Sequence, residues 1–136
     1  MTIQTATSES SSLGKALELA RATTEKKSEN LQILNVGETS GFTDFFVICS
    51  AMSDRQVQAI ADEVTKTARE KGYSKLTTEG YSDGRWVLID FGDVVVHIFL
   101  DAIREYYNLE GLWEEAKRVP IPKDFYAPSA SSIVKS

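Results

Sequence analysis

Two β-rich runs, Trp86-Val-Leu-Ile-Asp-Phe91 and Val94-Val-Val-His-Ile-Phe99, are separated only by Gly92-Asp93. A two-residue connection with a glycine free to take positive φ favours a tight antiparallel hairpin. The side-chain period of a strand is two, so the turn also fixes which residues share a face. Pairing Phe91 with Val94 sets Ile89 opposite Val96 and Val87 opposite Ile98, and these six apolar side chains need a covering layer. The other face carries Trp86 across from Phe99, Leu88 across from His97 and Asp90 across from Val95. That face is too polar for a sealed core and too aromatic for an ordinary wet surface. Asp90 and His97 stand on a diagonal, about 7–8 Å apart between Cα atoms and within side-chain reach.

The rest of the chain supplies the covering layers. Leu13, Ala16, Leu17 and Ala20 fall at helical spacing after a serine run able to cap, predicting a first amphipathic helix to about Lys27. Residues 31–36 read as a short strand. Residues 44–50 are apolar on both parities, as expected of a central strand covered on both sides. Ser53 with Gln56 makes a capping box, Val57, Ile60, Ala61, Val64 and Ala68 form a stripe, and Gly72 fits a C-terminal cap. This second helix would join the central strand to residues 75–78 by a βαβ-like crossover. Ile103, Tyr106, Tyr107 and Leu109 predict a further helix packed on the sheet, ended or bent at Gly111, with Leu112-Trp113 starting another turn. The reading is α/β, one domain, a mixed sheet packed with helices. Residues 1–12 and 127–136 are Ser/Thr/Ala-rich without a hydrophobic period and read as tails.

The single histidine has four open readings. A half-buried His97 bonded to Asp90 is the plainest. A metal centre is disfavoured, because zinc takes three or four ligands and there is no second histidine, while Cys49 lies in another, apolar strand. A catalytic Asp90–His97 dyad has no evident nucleophile beyond Ser82. Trp86 and Phe99 favour recognition, since large aromatics in a partly polar patch are common interface anchors, although a second core layer would use the same residues. Asp90-Phe-Gly92 matches a kinase triplet, but the accompanying Gly-rich and catalytic loops are missing. No phosphate-binding glycine motif occurs, and no cofactor is expected.

Composition narrows the partners. With 136 residues, 42% of them hydrophobic, the chain can bury a core without disulfide or metal. One free cysteine suits a reducing compartment. A net charge of −5 argues against tracking a phosphate backbone, so direct nucleic-acid readout is not expected. No segment approaches a membrane span, residues 1–12 lack the build of a secretory signal, and the Arg-poor start argues against a transit peptide. A cytoplasmic protein is expected. Asp101, Glu105, Glu110, Glu114 and Glu115 make the C-terminal third acidic, able to steer a basic partner beside the aromatic patch.

Five blocks then carry a resemblance: Thr43-Asp-Phe-Phe-Val-Ile-Cys-Ser50, Ser53 with Gln56, Trp86-Val-Leu-Ile-Asp90, Gly92-Asp-Val-Val-Val-His-Ile-Phe99 and Arg104-Glu-Tyr-Tyr-Asn-Leu-Glu-Gly-Leu-Trp113. In this order they closely resemble the ribosomal silencing factor family, also called Iojap-like, over residues 13–120, leaving 1–12 and 121–136 outside the match. The resemblance implies a nucleotidyltransferase-like fold without the catalytic apparatus, hence no enzyme. It implies binding to the large ribosomal subunit through large-subunit ribosomal protein fourteen, obstruction of small-subunit joining, repression of translation under nutrient limitation, and a homodimer when free. Family members also occur in chloroplasts and mitochondria. The docking surface expected on this basis is Trp86, Leu88, Asp90, His97 and Phe99, with Tyr81 and the Asp93 turn. The rival classes are a nucleotidyltransferase-like enzyme, a ribosome assembly factor and an RNA-binding module.

Overall fold

The computed structural model describes residues 2–126. In chain order the elements are α1 (Thr2–Glu25), β1 (Glu29–Asn35), α2 (Gly37–Ser40), β2 (Phe45–Ala51), α3 (Asp54–Lys71), β3 (Thr77–Glu79), β4 (Trp86–Asp90), β5 (Val94–Leu100), α4 (Asp101–Tyr107), α5 (Leu109–Leu112) and β6 (Lys117–Val119). They form one six-stranded sheet in the order β3-β4-β5-β2-β1-β6. β2 and β5 pair in parallel and all other neighbours are antiparallel. The α/β single-domain reading holds.

The hairpin adopts the register written from its turn: Trp86 faces Phe99, Leu88 faces His97 and Asp90 faces Val95. Its apolar face lies under α1 and α3, where Val87, Ile89, Phe91, Val94, Val96 and Ile98 are all buried. Every residue of β2 is buried, as two-sided coverage requires. The crossover through α3 is present, with one difference. β3 runs parallel to β2 but sits at the far edge, because β4 and β5 return to fill the space between them.

Three local expectations change. α1 begins at Thr2 rather than near Leu13, and Ser12 is buried within it, so the helix takes in the serine run that was read as a cap and tail. The other proposed tail, 127–136, and Met1 lie outside the described residues. At the start of α3, Ser53 Oγ accepts from Gln56 N at 3.1 Å, but the Gln56 side chain reaches one residue further back and accepts from Met52 N at 2.8 Å. Its amide also donates to the carbonyls of Lys26 and Lys27, tying the end of α1 to the start of α3. The C-terminal helix breaks at Asn108, in the left-handed region at φ 47°, and Gly111 stays inside α5. An asparagine tolerates that conformation better than most residues.

The second sheet face is covered only in part. Leu34, Val36, Phe46, Ile48, Val95, Phe99 and Leu109 form a smaller core beneath α4 and α5, with Trp86, Leu88, Ile103 and Trp113 at its margin. The two helices span four and seven residues, too few to roof six strands.

Candidate partner-binding face

α4 follows β5 without a loop, so the covering helix is densest over the end of β5 and thins toward β4. The residues expected to dock are therefore graded in depth. Phe99 is completely buried and His97 is 4% exposed, whereas Trp86 and Leu88 are half-buried. Phe99 thus belongs to the packing beneath the surface and offers no contact of its own.

An aromatic row crosses this face. Phe42 lies 6.2 Å from Phe46, whose ring meets His97 edge-on at 4.8 Å and Trp113 at 5.3 Å. Trp86 stacks on Phe99 at 4.7 Å and contacts Tyr107 at 5.1 Å, and Tyr106 continues the row at 5.0 Å. Offset and edge arrangements of this kind each add modestly to the burial itself. The row opens to solvent at both ends, through Phe42 and through Tyr106 and Tyr107. Beside Trp86, a cleft of about 450 Å³ is lined by Asp83, Arg85, Ile103 and the two tyrosines.

His97 answers to Trp86, not to Asp90. The indole Nε1 donates to His97 Nδ1 at 3.2 Å, which places the ring proton on Nε2, and Nε2 has no hydrogen-bond partner among the described residues. Burial pushes the imidazole down to about 4, so it is neutral at physiological pH. Asp90 instead accepts from Gly92 N at 2.8 Å and closes the turn. The expected diagonal pair is absent, and Ser82, exposed in the loop before β4, does not complete a dyad.

The other two expected contacts point elsewhere. Asp93 turns toward α1, where Lys15 Nζ and Ser12 Oγ each donate to it at 2.7 Å. Burial alone would raise its carboxyl, but those two hydrogen bonds and the lysine charge outweigh it and hold the group below its usual range. Tyr81 donates to the Asp62 carboxylate on α3 at 2.9 Å, which raises the phenol. Neither shares the aromatic face.

Tyr106 and Tyr107 were read as packing residues, yet they are 80% and 52% exposed. Adjacent helical positions point about 100° apart, so both could not have faced the sheet. The other missed residue is Arg104, buried at the junction of α4 with the sheet. Its guanidinium donates to Glu110 at 2.9 Å, to Ser50 Oγ at 2.9 Å and to the Asn30 carbonyl at 2.6 Å. It fastens the α4–α5 cover to β1 and β2. Among the described residues no group of His, Cys, Asp and Glu could hold a metal ion, and no helix is long and apolar enough to cross a membrane.

The family model for the ribosomal silencing factor during starvation matches residues 8–135. The chain belongs to this family. It is 50% identical over 106 residues to a ribosomal silencing factor of Halalkalibacterium halodurans, covering 77% of this chain and 91% of that protein. It is 38% identical over 109 residues to the chloroplastic protein Iojap of Zea mays, covering 80% of this chain and 47% of that longer one. A crystal structure of a Chromobacterium violaceum protein superposes with a TM-score of 0.74 at 32% identity, covering 82% of this chain and 95% of that one. As a ribosomal silencing factor the chain falls in a family named for silencing ribosomes, not for a reaction. The half-covered aromatic face is the feature of this silencing factor that most resembles a docking surface.

Proposed function

We propose that this protein represses translation by binding the large ribosomal subunit, through large-subunit ribosomal protein fourteen, and blocking the small subunit from joining. It acts in the cytoplasm, on ribosomes, under nutrient limitation, and it performs no chemistry. A chain of 136 residues has a radius of gyration of about 14 Å, so a bound copy excludes a second body from a subunit interface by volume alone. The observation carrying the reading is the aromatic row, wet at both ends and anchored by the half-buried Trp86. Rigid aromatics with a buried base and an exposed rim are the kind of side chain that carries most of an interface's energy. The cleft beside Trp86 carries one charge of each sign, Asp83 and Arg85, while the net charge of −5 favours encounter with a basic partner. The contacts that follow are Trp86, Leu88 and Tyr107, with Tyr106 at the rim, while His97 and Phe99 support them from below. The same face closes on a second copy in the free protein, and the resulting dimer competes with the ribosome.

The test is sedimentation of purified subunits through sucrose with and without the protein, probing each fraction. Co-migration with large subunits and loss of joined ribosomes are expected, and W86A or Y107A, checked for folding by circular dichroism, should restore joining. A wild-type protein that stays at the top of the gradient refutes the reading.

A further inference from the structure

His97 has a buried, uncharged ring whose Nε2–H meets no partner among the described residues. A buried donor left unpaired costs about 1–3 kcal/mol relative to a paired one. Its neighbours in the same layer are Phe46, Phe99 and Trp86, so a phenylalanine would fit the chemistry of the site without that cost. What the histidine supplies and a phenylalanine does not is Nδ1, the acceptor for the Trp86 indole proton. The indole needs something to hold it. It is half-buried, held on its faces by Phe99 and Tyr107, and without an acceptor the Nε1–H edge would be free to turn toward water.

We propose that His97 is a positioning residue for Trp86: its Nδ1 accepts the indole proton and keeps the ring stacked on Phe99 and against Tyr107, in the orientation that a partner meets. This inference rests on the ribosome-docking reading for its consequence but not for its geometry. Fixing an anchor before binding removes an ordering cost that would otherwise be taken from affinity. The position therefore trades a little stability for a defined docking surface, as functional sites commonly do.

Three substitutions separate this role from that of an ordinary core residue. H97F keeps an aromatic ring and removes the acceptor. H97N places an amide oxygen close to the Nδ1 position, whereas H97Q places one near Nε2. Two readouts apply, the second independent of any ribosome: affinity for purified large subunits, and the chemical shift and hydrogen exchange of the Trp86 indole N–H by NMR. The chain has two tryptophans, so the Trp113 indole serves as an internal reference.

H97F is expected to be as stable as the wild type or more so, to exchange its Trp86 indole proton faster, and to bind large subunits about tenfold more weakly, the scale of one net hydrogen bond. H97N is expected to recover most of the binding and the slow exchange, and H97Q is not. An H97F protein with an unchanged indole signal or unchanged subunit affinity overturns the proposal. So does an H97F protein that is destabilised while H97N does no better than H97Q, the result expected of a purely structural histidine. If the wild type does not sediment with large subunits, the silencing reading fails, and the indole measurements still decide whether His97 positions Trp86.

Discussion

Burial of His97 makes this protein acid-sensitive in a calculable way. The imidazole is pushed from its ordinary 6.5 to about 4 by loss of solvent, with no charged partner contributing. Its folded form therefore binds fewer protons than the unfolded chain between those two values, and stability must fall as the pH drops through that window. Above pH 6.5 the contribution is fully present. At 1.36 kcal/mol per pH unit, the full loss below pH 4 is about 3 kcal/mol, and most of it has gone by pH 4.5. That is a large share of the ~5–15 kcal/mol typical of a domain. The assay is urea unfolding of wild type and H97F at intervals between pH 7.5 and 4.5. Glu18 and Asp93, both held below their usual range, also lose stability in acid, but they are common to both proteins. The difference between the two curves isolates position 97. It should open below pH 6.5 and widen to about 2–3 kcal/mol by pH 4.5, in favour of H97F. Parallel curves, or an NMR titration placing the wild-type ring at 6 or above, would refute the reasoning.

Other perturbations test the framework around the face. R104A strands the Glu110 carboxylate, whose side chain is only 18% exposed, and should cost about 3–5 kcal/mol in urea unfolding, with R104M/E110L recovering most of it. Gly80 sits at φ +83° with the Trp86 carbonyl oxygen 2.1 Å from where a Cβ would be, so G80A should lower the thermal midpoint. Gly14 lies in α1 with nothing within 4 Å of its Cβ position, so G14A should stabilise the fold by about 0.5–1 kcal/mol and raise the midpoint. The Cys49 thiol is fully buried and pushed up to about 12, so thiol reagents should modify it only through unfolding, at a rate that rises with urea. Fast labelling in native buffer would contradict the burial of β2.

The parts of this fold legible in the sequence are those governed by short periods. The register of Val87, Ile89 and Phe91 against Val94, Val96 and Ile98 follows from a two-residue turn and a period of two, and β2 announces its two-sided burial by being apolar on both parities. The stripe of α3 and its Gly72 cap follow from the same kind of local rule. What local rules cannot supply is the partner of a polar side chain. Asp90 and Asp93 are three residues apart, yet one folds back on its own turn and the other finds Lys15, 78 positions earlier in the chain. Arg104 likewise gains its role from Ser50 and Asn30, on strands it does not adjoin in sequence.

The depth of the candidate face is the clearest case of that limit. Period two places Trp86, Leu88, His97 and Phe99 on one side of the hairpin but says nothing of how far a covering helix extends over them. That extent is set by chain connectivity. α4 leaves β5 directly at Leu100, so it must lie over Phe99, and its break at Asn108 stops the cover before it closes over β4. Residues on one face thereby divide into a buried row, Phe46, His97 and Phe99, and an open row, Trp86, Leu88 and Tyr107. The division decides what a mutation measures. F99A opens a cavity worth about 3–5 kcal/mol and reports on folding, whereas Y107A removes a ring that is half exposed and so tests the proposed docking with little effect on the core. Trp86, in the open row, joins it to the buried one, with its ring stacked on Phe99 and half-buried, and the single histidine beneath it supplies the acceptor that makes such an arrangement rigid.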